Sequence, residues 1–107
     1  MKIIGAKVFD TERGFVNRDI YIENGRIAEA GAGESVFDAD SCYAIPGLCD
    51  LHFHGCVGED FSDGSIEGLQ KMADYELLHG VTQICPAGMT LPREQLVKIC
   101  TVAAEHK

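Results

Sequence analysis

Ile45-Pro46-Gly47-Leu48-Cys49-Asp50-Leu51-His52-Phe53-His54-Gly55 is the stretch that decides how this chain is read. Pro46-Gly47 breaks local structure, and Leu48 to Phe53 after it is a short, mostly apolar run. Such a run suits a strand buried on both faces, as in a parallel sheet. Alternate strand side chains share a face, so His52 and His54 project together while Phe53 points the other way, toward a helix layer. Two neutral imidazoles side by side can offer nitrogen lone pairs to one cation. Asp50 falls on the same face, one step deeper, where it can orient a ligand or be paired structurally. An H-x-H pair alone is weak grounds for a metal, because surface histidines and satisfied core histidines are common. Its weight comes from what flanks it.

Downstream the chain alternates strand and helix. The loop Gly55 to Gly64 is rich in Gly and Asp, and a helix is predicted from near Ser65, with Ile66, Leu69, Met72, Ala73 and Leu77 as its apolar stripe. Gly80 is a natural residue to follow its end. Val81 to Cys85 reads as a second strand stopped by Pro86. Thr90 can cap a second helix with Pro92 in its first turn and Leu96, Ile99, Cys100 and Ala103 buried. Two βα units in succession imply parallel strands and right-handed crossovers. By themselves they leave one face and both sheet edges open, so they look like the start of a larger barrel. The histidines then sit at the C-terminal end of a barrel strand, where such folds place their chemistry. Pro86-Ala87-Gly88-Met89-Thr90 should line the same rim, as a plain loop or in contact with substrate.

Upstream, residues 1–44 read as a small antiparallel β module. Ile3, Ile4, Val8 and Phe9 suggest a first strand, and Thr11 to Gly14 a polar turn. Asp19 to Glu23 and Arg26 to Glu29 alternate with period two around Asn24-Gly25, a strong hairpin signal because both residues tolerate positive φ. Gly31, Gly33 and Ser35 mark a loop, and Val36 to Ala39 a short strand. The module has few large apolar residues and is too small to bury much core by itself.

The whole arrangement resembles the amidohydrolase superfamily and, within it, the N-acetylglucosamine-6-phosphate deacetylase family. The resemblance rests on Ile45 to Gly55, on Gly58-x-Asp60-Phe61-x-Asp63, on Leu78-His79-Gly80-Val81-Thr82 and on the Asn24-Gly25-Arg26-Ile27 hairpin. It implies an α/β fold: part of a small β-sandwich over residues 1–44, then over 45–107 the first two βα units of a metal-dependent TIM-type (β/α)8 barrel, incomplete here. It implies His52 and His54 as metal ligands and a divalent metal, zinc or iron. Some members carry Gln and Asn at the two His positions; both histidines here favour a site able to hold a second metal. The implied reaction removes the N-acetyl group of N-acetylglucosamine 6-phosphate, giving glucosamine 6-phosphate and acetate. No catalytic residue falls within this chain, since the general acid/base Asp is expected beyond Lys107. A barrel of this kind needs about 250 residues, so the 107 residues alone are expected to be inactive. The resemblance also implies an amino-sugar phosphate as small-molecule partner and a homo-oligomer, a dimer in the complete enzyme.

The remaining features exclude more than they assign. A net charge of −8 argues against nucleic acid or an anionic membrane as partner. No apolar run approaches the ~20 residues of a membrane span, and Met1 to Gly5 is too short for a secretory signal. A cytoplasmic protein is expected. Five cysteines without a C-x-x-C pair favour neither disulfides nor a zinc ribbon; buried free thiols are expected, although Cys49 and Cys56 flank the histidines. Asp60 and Asp63 read as loop carboxylates or helix caps before they read as a catalytic pair. His79 and His106 each end a helix at the far end of a barrel strand and cannot join the site, His79 being suited to the helix dipole. Two other readings stand beside the deacetylase: another amidohydrolase (a dihydroorotase, an aminoacylase or a cyclic amidase), or a non-catalytic metal-binding or oligomerising module.

Overall fold

A computed structural model describes residues 1–31 and 35–106; Gly33 of the predicted loop and Lys107 lie outside them. The chain divides into two compact units, Met1–Pro46 and Gly47–Lys107.

Among the described residues the first unit contains seven short strands, β1 (Lys2–Ile4), β2 (Lys7–Asp10), β3 (Gly14–Asn17), β4 (Ile20–Glu23), β5 (Arg26–Ala28), β6 (Val36–Asp38) and β7 (Tyr43–Ala44). They form two sheets, in the orders β5-β4-β1-β6 and β3-β2-β7. The sheets are mixed rather than antiparallel: β1 pairs with β6, and β2 with β7, in parallel. The single first strand of the sequence reading is in fact two. Gly5, at φ +81°, turns the backbone between them and lies so close to the Asp40 backbone that a side chain would crowd it. The Asn24-Gly25 hairpin forms as expected, with Glu23 opposite Arg26. The buried residues are small, Ala6, Val8 and Ala39, with Ile3, Ile20 and Ala44 packed around them.

The second unit holds β8 (Leu48–Phe53), β9 (Gly55–Cys56), β10 (Glu59–Asp60), a single 3₁₀ turn (Phe61–Asp63), α1 (Ile66–Leu78), β11 (Val81–Pro86) and α2 (Arg93–Glu105). β8 and β11 pair in parallel, with irregular register on either side of Gln83 and Ile84. The expected loop 55–64 is instead a miniature hairpin, β9–β10, followed by the 3₁₀ turn. Ser65 caps α1 by accepting from the Gly68 amide at 3.0 Å. α1 ends at His79, and Gly80 follows at φ +84°. Thr90 does not cap α2: the helix begins after Pro92, which makes no side-chain cap. The reason is local, because the residue before a proline is driven out of helical φ/ψ, so Leu91 cannot be the first turn.

Phe61, Leu69, Met72, Ile99 and Val102 form the core of this unit, with Phe53, Cys56, Ile66, Ile84 and Leu91 against it. Three further expectations are corrected. The buried side of α2 is Ile99 and Val102, while Leu96, Cys100 and Ala103 are exposed. β8 is not buried on both faces; Leu51 is 75% exposed, since this strand has one partner among the described residues. Four of the five free cysteines, Cys42, Cys49, Cys85 and Cys100, are exposed as well. Among the described residues no helix is long and apolar enough to cross a membrane.

Candidate metal centre

β8 delivers His52 and His54 to its C-terminal end, with ring centroids 4.9 Å apart and the rings nearly perpendicular. Phe53, between them, packs on the helical core. The period-two geometry thus holds through the histidines despite the uneven register with β11. The two differ in how they are held. The Nδ1 of His54 lies 2.7 Å from the Ala87 carbonyl oxygen, in the segment that follows β11. A carbonyl oxygen only accepts, so this Nδ1 carries the hydrogen and Nε2 keeps its lone pair free. That is how a ligating histidine is ordinarily oriented by a second group behind it. His52 is fixed through its backbone, its amide donating to the Asp50 carboxylate at 2.9 Å.

The segment after His54 is tied down closely. Phe61 donates its amide to the His54 carbonyl at 2.8 Å, and Ala87 donates to the Phe53 carbonyl at 2.8 Å. Asp60 caps the 3₁₀ turn by accepting from the Ser62 amide at 2.7 Å. Bonds from Ser62 hold the Asp60 carboxyl below its ordinary range, with a smaller contribution from His54. Asp60 is therefore a capping carboxylate close to the histidine. The carbonyl of Asp63 accepts from Lys98 at 2.7 Å. Cys56 points inward, and burial pushes its thiol pKa up, which disfavours the thiolate a metal would need. His79 donates from Nδ1 to the Tyr75 carbonyl one helical turn back, at 2.8 Å, and stacks near the Tyr75 ring.

The arrangement fits two nitrogen ligands of a metal, with His54 presented in the right tautomer. Among the described residues no three His, Cys, Asp or Glu side chains converge as a metal cluster. Catalytic zinc usually takes three protein ligands, and the pair by itself falls short of that number. The Ala87 carbonyl was not assignable from sequence: it lies 33 residues from His54, and only the parallel pairing of β8 with β11 brings it there.

No protein-family model matches the chain. It is 31% identical over 98 residues to the N-acetylglucosamine-6-phosphate deacetylase of Bos taurus, covering 89% of this chain and 21% of that protein. It is also 31% identical over 98 residues to the dihydroorotase of Trichlorobacter lovleyi, covering 84% of this chain and 22% of the relative. The crystal structure of N-acetylglucosamine-6-phosphate deacetylase from Pasteurella multocida superposes with a TM-score of 0.87 at 20% identity, over 98% of this chain and 30% of that one. At that identity the likeness is one of fold. The chain spans about a fifth of the length of these curated relatives. Over most of its length it is similar to the N-terminal portion of N-acetylglucosamine-6-phosphate deacetylases, of the amidohydrolase superfamily.

Proposed function

We propose that this chain supplies the first metal ligands, His52 and His54, of a metal-dependent amidohydrolase that deacetylates N-acetylglucosamine 6-phosphate. In this reading residues 1–44 belong to a small β-sandwich and 45–107 are the first two βα units of a (β/α)8 barrel. The observation that carries the ligand assignment is the pair itself: two adjacent imidazoles at the end of a parallel strand, one with Nδ1 engaged behind it. A zinc or iron ion held there supplies a Lewis acid for the amide carbonyl and lowers the pKa of water. The part of this chain is to hold and orient. His54 keeps its proton on Nδ1, the β9–β10 hairpin and 3₁₀ turn buttress the strand end, and the Asp60 carboxylate stays ionised nearby. Further ligands and the carboxylate that moves protons between water and the leaving amine come from other segments of the complete enzyme, which works as a homo-oligomer.

The test has two arms. Zn²⁺ titrated into the 107-residue chain should shift the ring resonances of His52 and His54 together and leave His79 in place. Unmoved His52 and His54 signals would overturn the ligand pair. Acetate release from N-acetylglucosamine 6-phosphate should be absent from the 107 residues and present in the complete enzyme; enzyme-like turnover by the short chain would refute the need for further segments. The likeness to a dihydroorotase favours a second reading, cyclic amide hydrolysis at the same centre. Hydrolysis of dihydroorotate in place of the amino-sugar phosphate by the complete enzyme would select it.

A further inference from the structure

We infer that Gly88 and Ser62 are positioning residues for His54: they seat the segment after β11 so that the Ala87 carbonyl fixes the ring with hydrogen on Nδ1. The inference concerns the ring's tautomer, and its relevance to metal binding rests on the reading above. The Ala87 carbonyl reaches His54 at 2.7 Å. On the strand side Ala87 is tied by its own amide, which donates to the Phe53 carbonyl at 2.8 Å; the loop that follows it is fixed on its far side as well.

Two contacts do this. At Gly88, a Cβ would lie 2.4 Å from Cδ1 of Ile99, a buried residue of α2. The Ile99 side chain therefore packs on bare backbone one residue beyond Ala87, and a Cβ there would have to displace either the buried Ile99 tip or the segment itself. One residue further, the Met89 amide donates to Ser62 Oγ at 3.2 Å. Ser62 is itself held, its amide donating to Asp60 at 2.7 Å and its carbonyl accepting from Gln95 at 2.6 Å. The path runs from α2 and the 3₁₀ turn, through residues 87–89, to the His54 ring. His79 provides a comparison within the same molecule. Its Nδ1 donates to a carbonyl of its own helix, four residues back, so its tautomer needs no support from elsewhere.

The tautomers of all four histidines can be read from the ring ¹⁵N shifts of the metal-free, labelled chain at a pH of roughly 8, above the ordinary imidazole range. The wild-type chain should show His54 with hydrogen on Nδ1. Gly88→Ala should turn His54 into a mixture of tautomers, and Ile99→Val added to it, which removes Cδ1, should restore the single form. Ser62→Ala should give a smaller shift in the same direction, rescued by Ser62→Thr. His79 should stay unchanged throughout, which separates local repositioning from loss of fold. Hydrogen on Nε2 of wild-type His54, or a tautomer ratio indifferent to Gly88→Ala in a folded chain, overturns the inference. If the tautomers respond as stated while Zn²⁺ leaves the His54 Nε2 signal unmoved, the positioning stands and the metal reading fails.

Discussion

Two hairpin turns in this molecule have nearly the same backbone and opposite chemistry. Asn24-Gly25 joins β4 to β5 with φ values of 51° and 72°; Val57-Gly58 joins β9 to β10 with 50° and 81°. Both are two-residue turns with positive φ at each central position, the type I′ pattern that favours Asn-Gly. Asn accepts the left-handed region readily, whereas a β-branched residue there is a steric outlier. The first turn can form from its own residues, with the β4–β5 ladder on either side. The second is imposed. Phe61 beyond it is buried and donates to the His54 carbonyl, Ser62 and Asp63 accept from α2, and Lys71 of α1 pairs with Glu59 of β10. Strain of this kind persists where the surroundings over-determine the backbone. Here it directly follows the proposed metal ligands.

The largest test of that contrast removes the anchor. Phe61→Ala should destabilise the second unit by about 3–5 kcal/mol, as large-to-small aromatic changes in cores do. It should also raise amide exchange through residues 55–60 while leaving residues 20–28 protected. A loss of less than about 1 kcal/mol in urea unfolding would show that Val57 is not held by the core, given that full burial normally matters more. A smaller effect is expected from exchanging the turn residues. Asn24→Val should cost about 1–2 kcal/mol, the usual penalty of a left-handed L-residue. Val57→Asn should relieve a similar strain and raise stability, by about 1 kcal/mol. Equal and negligible effects at both sites would remove the distinction between a self-made and an imposed turn.

The same contrast explains what could be read from the residues alone. Asn24-Gly25 was legible because its local preference and its tertiary role agree. Val57-Gly58 was not, because Val argues against the turn it makes and the contacts that force it come from residues far along the chain. Parallel β1–β6 and β2–β7 pairing was missed for a related reason: strands of two to four residues carry too little pattern to choose a partner. The α2 start was legible in principle, since Pro92 restricts Leu91 regardless of Thr90. At the candidate site, alternation sufficed to bring His52 beside His54, because it acts over three residues. The carbonyl that sets the His54 tautomer depends on sheet pairing and on the packing of Gly88 against Ile99, neither of which leaves a local mark.

The smallest expected effect compares the two units by pH. Asp10 accepts from the Glu12 and Arg13 amides at 3.0 Å each, and these bonds lower its pKa, as those from Ser62 lower that of Asp60. A carboxyl with a depressed folded pKa contributes stability that is complete above its unfolded value, near ~3.9. That contribution fades as the pH falls through the folded value. Both carboxylates are exposed to solvent, so each contribution is modest and weakens with salt. Asn can keep the same turn without titrating. Asp10→Asn should therefore flatten the acid side of the stability profile for the first unit, and Asp60→Asn for the second, with little change near neutrality. The two should differ in one respect. Asp60 lies beside His54, whose charge when protonated favours the carboxylate, so His54→Gln should reduce the acid sensitivity assigned to Asp60 and leave that of Asp10 untouched. An Asp60→Asn profile parallel to the wild type would mean that the cap next to the proposed ligands is held by packing alone.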